Sequence, residues 1–422
     1  MSLSQRERTK ILSSIKARVL KHHINVADVS YDSWATIFDE RASQLLSGGT
    51  DVFETGVQGL LSELGTSHTR FYHECPNQVL PQHSINATLH SFPQAGGGAN
   101  WIFLDVFEDG PADMAGIKPG EMLVAVDNTR YVPPSMPPFR LGGTYKLRVS
   151  NIRGEDHRDI VINVPSKRAA RRLPIVESKG LAHATVAPNM GLVKITYFRG
   201  EMGMRFSREL DATIKALKEQ RCKRLIIDLR GNVGGGLGFA RLASYMCPGQ
   251  IPIGNSLTPG RLRKGYQRES LPRVPMPRNR AELLFALARF TFQDKSLILL
   301  TQGLGPQPFH DNIGLLINEC TNSAAEIIAS YASENRLATI VGKKTPGNVL
   351  GQAYFRVGSG YWLCLPVFGW YTSQGNSLEG KSVLPDVVVD IDPLLLSTGI
   401  DQQMEKAIEI LSDTNGAGVG SA

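Results

Sequence analysis

Leu225-Ile226-Ile227-Asp228-Leu229-Arg230-Gly231-Asn232-Val233-Gly234-Gly235-Gly236 passes from a mostly apolar run straight into glycine. A short apolar run bounded by turn residues reads as a strand buried on both faces. The glycines after it let backbone amides turn outward and come close to a ligand, forming a nest for an anion or an oxyanion. A phosphate loop would carry the GxxxxGK[ST] lysine or a GxGxxG order after the strand, and this segment has neither, which weakens a nucleotide reading of it. Taken alone, the segment could be a plain flexible turn. Upstream, 192–198 reads as a strand, and Phe206, Leu210, Ile214 and Leu217 share one helical face, so a βαβ unit leads into the glycines. Downstream, strands at 297–300, 313–317 and 338–341 and a helix over 324–331 continue the alternation, which implies a layered sheet with helices packed on it.

The remainder of the 422 residues narrows the class of protein. With 42% hydrophobic and 20% charged residues the chain reads as an ordinary globular protein, not a disordered or collagen-like one. Apolar stretches such as 297–300 fall far short of the roughly 18 residues a spanning helix needs, so no membrane span is expected. The N-terminus reads as an amphipathic helix (Ile11, Ile15, Val19) without the apolar core of a signal peptide, and the expected location is cytoplasmic. Cys75, Cys222, Cys247, Cys320 and Cys364 are scattered without CxxC spacing, which argues against a disulfide framework and a zinc site. The net charge is +7, yet nucleic-acid-binding signatures are missing. The basic clusters Lys167, Arg168, Arg171, Arg172 and Arg261, Arg263, Lys264, Arg268, Arg273, Arg278, Arg280 are aperiodic and read as solvated loops.

Composition shifts divide the chain. Residues 1–82 carry helical periodicity, with Trp34, Ile37 and Phe38 followed by Val52, Phe53, Val57, Leu60 and Leu61. Over 83–166 the period becomes two, with strands at 101–108, 122–126, 145–149 and 159–164. Between them, DGPADMAGIKPG (109–120) supplies a turn, a one-turn helix and a second turn. Residues 167–414 form the α/β region, and the Gly-rich tail 415–422 reads as disordered.

Four segments hold groups that could do chemistry. Ser323 lies between a buried strand and a helix N-terminus, where the Ala324 amide and the helix dipole would meet an oxyanion; an ordinary N-cap is the plainer alternative. The glycine nest at 231–236 is the second. The third is Glu63-Leu64-Gly65-Thr66-Ser67-His68-Thr69-Arg70, which places a histidine beside a serine, a setting that His22, His23, His73, His83 and His90 do not share. The fourth, Ser377-Leu378-Glu379-Gly380-Lys381, is a turn whose Glu379 would otherwise pass for a surface carboxylate.

The strand, "GPA", "AGIKPGE" and "VAVDN" order resembles a PDZ domain, except that Val132-Pro133-Pro134-Ser135-Met136-Pro137-Pro138 stands where such domains carry their second helix. Prolines make a regular helix there unfavourable. Together with "DLRGN.GGG", "T.SAAE", "VGKKTPG" and "LEG..V.PD", covering about residues 50–390, the whole resembles the tail-specific or C-terminal-processing serine peptidase superfamily. That resemblance implies an α/β multidomain protein: a crotonase-like catalytic core, an N-terminal helical segment and an inserted PDZ-like β-domain. It implies Ser323 as nucleophile and the amides of Gly234 or Gly235 and of Ala324 as oxyanion hole. Where one branch has a lysine base, this chain has Asn348 after Thr345-Pro346-Gly347, and an amide has no basic lone pair. His68 takes that role, and with Ser67 and Glu379 the pattern is similar to the tricorn core protease branch. No metal or organic cofactor is implied. The expected partners are peptide or unfolded protein substrates, with self-association left open. A non-catalytic ligand- or peptide-binding member of the fold is the alternative. All these site residues lie outside 84–165, so removing that insert is expected to spare some hydrolysis of short peptides and to affect longer ones more.

Overall fold

The computed structural model describes residues 3–25, 28–76, 78–94, 97–166, 175–200, 202–277, 281–282, 284 and 296–413. The cluster Lys167, Arg168, Arg171 and Arg172, together with Arg278, Arg280 and the tail 415–422, lies outside these residues. Two compact units, each drawn from separated stretches of chain, make up the fold.

The first unit takes Met1–Cys75, Ile251–Thr301 and Gly347–Lys381. Its helix Gln5–His22 begins with a capping box in which Ser4 and Glu7 satisfy each other's backbone amides. Ile11, Ile15 and Val19 from this helix, Phe38 from Tyr31–Ala42 and Phe53, Val57, Leu60 and Leu61 from Thr50–Ser62 share a core with Val357, Tyr361, Leu363 and Leu365. Those last residues belong to an antiparallel hairpin of Leu350–Gly358 and Tyr361–Thr372. The long second strand also pairs with Arg70–His73 and with Pro252–Leu257. Parts of the second basic stretch are ordered structure, not the solvated loop its aperiodic sequence suggests. Pro259–Lys264 is a helix capped by Thr258, and Arg273–Pro275 is a strand beside Leu297–Leu300. Proline at the first helical turn and a threonine cap build a short helix without any apolar period.

The second unit takes Pro76–Gln250, Gln302–Pro346 and Ser382–Ala422. It holds two sheets. One is a five-stranded antiparallel meander, Ala87–Pro93, Ala99–Val106, Met122–Val126, Thr144–Ser150 and Arg158–Asn163, closed over Phe103, Leu123, Phe139, Leu147 and Ile162. Residues 132–138 contain no helix. The other sheet has the order Val387–Val388, Thr339–Gly342, Ile313–Ile317, Arg224–Asp228, Met190–Ile195, Leu181–Ala187 and is parallel except at its last pair. Every residue of Ile313–Ile317 is buried, the pattern expected of a central parallel strand. Ala407 and Leu411 of the helix Gln402–Asp413 pack on Met190, Ile226, Leu316 and Val341.

Arg224–Asp228 and Ile313–Ile317 are parallel neighbours in register. The loops after their carboxyl ends, the glycine nest and 318–322, therefore leave the sheet side by side, where open α/β sheets place their sites.

Candidate active site

Those two loops are bonded to each other along their length. Leu229 N–H donates to the Leu316 carbonyl at 2.9 Å and Asn322 N–H to the Asn232 carbonyl at 2.8 Å. Thr321 Oγ1 donates to the Leu229 carbonyl at 2.9 Å. The fully buried side chain of Asn318 accepts from the amides of Gly231 and Cys320, each at 3.0 Å, and so joins one loop to the other.

Ser323 follows, with φ 56° and ψ −116° at the N-cap of the helix Ala324–Glu334. A β-substituted residue enters this left-handed region at a cost, and such strain gathers at functional sites. Its N–H donates at 3.0 Å to the carboxylate of Glu326, which is buried. Gly234 (φ 89°) lies so close that a Cβ there would stand 2.7 Å from the Ser323 Cβ. Only glycine fits both that conformation and that approach.

The two glycine amides differ in what they can donate. Gly234 N–H is held by Asn232 Oδ1 at 2.7 Å, whose Nδ2 in turn donates to the Ile195 carbonyl. Gly235 (φ 135°) is exposed, set by a bridge to Phe198 in which Phe198 N–H reaches the Gly234 carbonyl and Gly236 N–H the Phe198 carbonyl, both at 2.9 Å. That pairing uses the groups on either side of the Gly235 amide and leaves its N–H out. The Ala324 amide is the first of the helix, a position with no intrahelical acceptor.

Ser67, His68 and Glu379 come together in the first unit although 312 residues separate Ser67 from Glu379. Glu379 accepts Ser67 N–H at 2.7 Å, Ser67 Oγ at 2.9 Å and Val349 N–H at 2.9 Å. Since the Ser67 hydroxyl proton goes to the carboxylate, Ser67 Oγ, 2.7 Å from His68 Nδ1, is the acceptor there. Nδ1 then carries the imidazole proton and Nε2 keeps the lone pair. His68 itself is left-handed at φ 62°, following Gly65 at φ 60°. Burial, aided by the charge of Arg70, pulls its pKa down to about 4, which keeps the ring neutral.

Behind this loop stands His23, which local sequence does not single out. Thr69 and Thr66 hydroxyls lie 2.9 Å apart, Thr66 Oγ1 is 2.9 Å from His23 Nε2, and Tyr31 Oη is 2.8 Å from His23 Nδ1. Tyr31 Oη donates to the His23 carbonyl at 2.9 Å, so Nδ1 holds the ring proton and Nε2 accepts from Thr66. His23 is 2% exposed, and burial takes its pKa to about 4. A histidine that closes a helix and meets Thr66 43 residues later leaves no local signal. Of the alternative bases, Lys343 Nζ pairs with Asp390, and Lys344 is exposed.

The fold is a mixed α/β multidomain architecture with several sheets. Residues 189–389 match the model of Peptidase family S41. A carboxyl-terminal-processing protease of Synechocystis sp. is 24% identical over 315 residues, covering 72% of this chain and 62% of that one. Carboxyl-terminal-processing peptidase 1, chloroplastic, of Arabidopsis thaliana is 21% identical over 345 residues, 78% of this chain and 61% of its own. The structure of a photosystem II D1 C-terminal processing protease superposes with a TM-score of 0.54 at 15% identity, covering 96% of this chain and 97% of that one. The S41 match covers a little under half of the chain, and the chain spans about half to three-fifths of the length of the curated relatives it matches.

Proposed function

We propose that the chain is a serine peptidase that hydrolyses peptide bonds of peptides or unfolded protein tails through an acyl-enzyme. Ser323 attacks the scissile carbonyl; His68 Nε2 takes its proton and returns it to the leaving amine; Ser67 and Glu379 hold the imidazole in the Nδ1–H form. The amides of Gly235 and Ala324 bind the oxyanion, and Gly234, its own N–H engaged by Asn232, shapes the floor beneath Ser323. In this reading the six-stranded sheet and its helices are a crotonase-like core, the five-stranded meander is a PDZ-like domain inserted at about 83–166, and the histidine-based site is that of the tricorn core branch.

The observation that carries the proposal is the Glu379–Ser67–His68 relay, because a histidine without this partner chain could sit in either tautomer. The S41 match and the names of the relatives support the same chemistry. Cleavage of an unfolded protein such as casein tests it: Ser323→Ala and His68→Ala are expected to lose several orders of magnitude in turnover, and Asn348→Ala little. Residual cleavage by Ser323→Ala at the parental rate would remove Ser323 from the nucleophile's role.

A further inference from the structure

The loop that ends in Ser323 also touches the meander. Asp105, near the end of the strand Ala99–Val106, is 8% exposed. Its Oδ2 accepts from Thr88 Oγ1 at 2.7 Å and from Asn318 Nδ2 at 3.2 Å, and its own N–H donates to Thr88 Oγ1 at 2.9 Å. The same carboxylate lies against Gly231, where a Cβ would come within 2.8 Å of Oδ2. Asp105 therefore meets both loops of the site at their roots.

What it does there follows from the chemistry of an amide. Asn318 presents Oδ1 to two backbone donors, Gly231 N–H and Cys320 N–H, and NH2 to Asp105. Turned over, it would set NH2 against two N–H groups and a carbonyl oxygen against a carboxylate, so Asp105 admits one orientation only. That orientation clamps the loop bearing Gly235 to the loop bearing Ser323 and Ala324. From this we infer that Asp105 is a positioning residue for the oxyanion hole, acting through Asn318 from a different sheet. It touches no reacting atom. The inference rests on the peptidase reading above.

A neighbouring contact supplies a control. His90 Nδ1 and Glu319 Oε1, 2.9 Å apart, also join the meander to this loop, but both side chains are more than a third exposed, and such a pair adds little.

The test uses the full chain and a fluorophosphonate probe, whose phosphonyl oxygen occupies the oxyanion position as Ser323 reacts. The limiting rate of modification and the half-saturating probe concentration are measured for the parent, Asp105→Leu, Asp105→Asn and His90→Ala, with the melting temperature of each. Leucine keeps the shape without an acceptor; asparagine keeps an oxygen to face Asn318. Asp105→Leu is expected to lose about ten- to hundredfold in limiting rate, short of or equal to deleting an oxyanion donor, with half-saturation within about twofold. Asp105→Asn should stay within about threefold of the parent and His90→Ala within about twofold. Should Asp105→Leu not fold, Thr88→Val, which releases the carboxylate, is expected to show a smaller loss of the same kind. A parental rate in folded Asp105→Leu, or equal losses in Asp105→Leu and His90→Ala, would overturn the inference while the peptidase reading stands. A parent that neither labels at Ser323 nor cleaves casein would overturn that reading, and the inference with it.

Discussion

At the scale of single residues, the base determines how activity depends on pH. In the proposed mechanism neutral His68 is the active form, so activity is present above its pKa and lost as pH falls through it. Burial lowers that pKa from 6.5 to about 4, so kcat/KM is expected to hold steady from pH 8 to about 6 and decline only below that. A lysine base would put the limb far higher, because even strong desolvation starts from about 10.4. Lys343→Ala and Lys344→Ala should keep both the limb and near-parental rates; loss of activity in either folded variant would restore a lysine mechanism. The pairing of Ser67 with His68 was legible in the sequence because the two are adjacent. Glu379 was reached only through family likeness, and His23, Asn232, Asn318 and Asp105 not at all, since each also makes a contact far away in sequence, to Thr66, Ile195, Gly231 and Asn318 in turn.

At the scale of elements, the parallel strands were legible where burial is continuous. The runs 225–229 and 313–317 correspond to Arg224–Asp228 and Ile313–Ile317. Leu181–Ala187, an edge strand with an exposed centre, and Pro252–Leu257, opening on proline and interrupted by glycine, offered no such run. The contacts the meander makes with the loop before Ser323 left no mark in the sequence. Because Asp105 and His90 reach the loop before Ser323, removing 84–165 is expected to slow modification of Ser323 at least as much as Asp105→Leu does; parental labelling after the deletion would disprove this. A second anchor is Arg230, buried between Asp228 and Asp401, with Gln403 also accepting from it. This ties the glycine loop to the helix Gln402–Asp413. Arg230→Ala strands the buried Asp228 carboxylate and is expected to destabilise the second unit by about 3–5 kcal/mol, read as a lowered melting temperature. An unchanged transition would contradict that role.

At the scale of the whole molecule, the two histidines whose pKa falls to about 4, His23 and His68, make stability depend on pH. The unfolded chain binds a proton at each near pH 6.5, whereas the folded chain resists doing so until about pH 4. Stability should therefore be constant with respect to these groups above 6.5 and decline as pH falls from 6.5 to 4. For His23 the loss is on the order of 3 kcal/mol at the bottom of that window. His23→Gln should flatten this part of a melting-temperature profile, and an unaltered slope would remove His23 as its source. At the centre of the proposed function is Ser323 as nucleophile with His68 as its base. The most direct measurement is peptide mapping by mass spectrometry after brief exposure to a fluorophosphonate at pH 7.5. The account predicts a single phosphonylated residue, Ser323, in the parent and in Lys344→Ala, with labelling nearly abolished in folded His68→Ala. Undiminished modification of Ser323 in His68→Ala, or modification of a different serine in the parent, would contradict it.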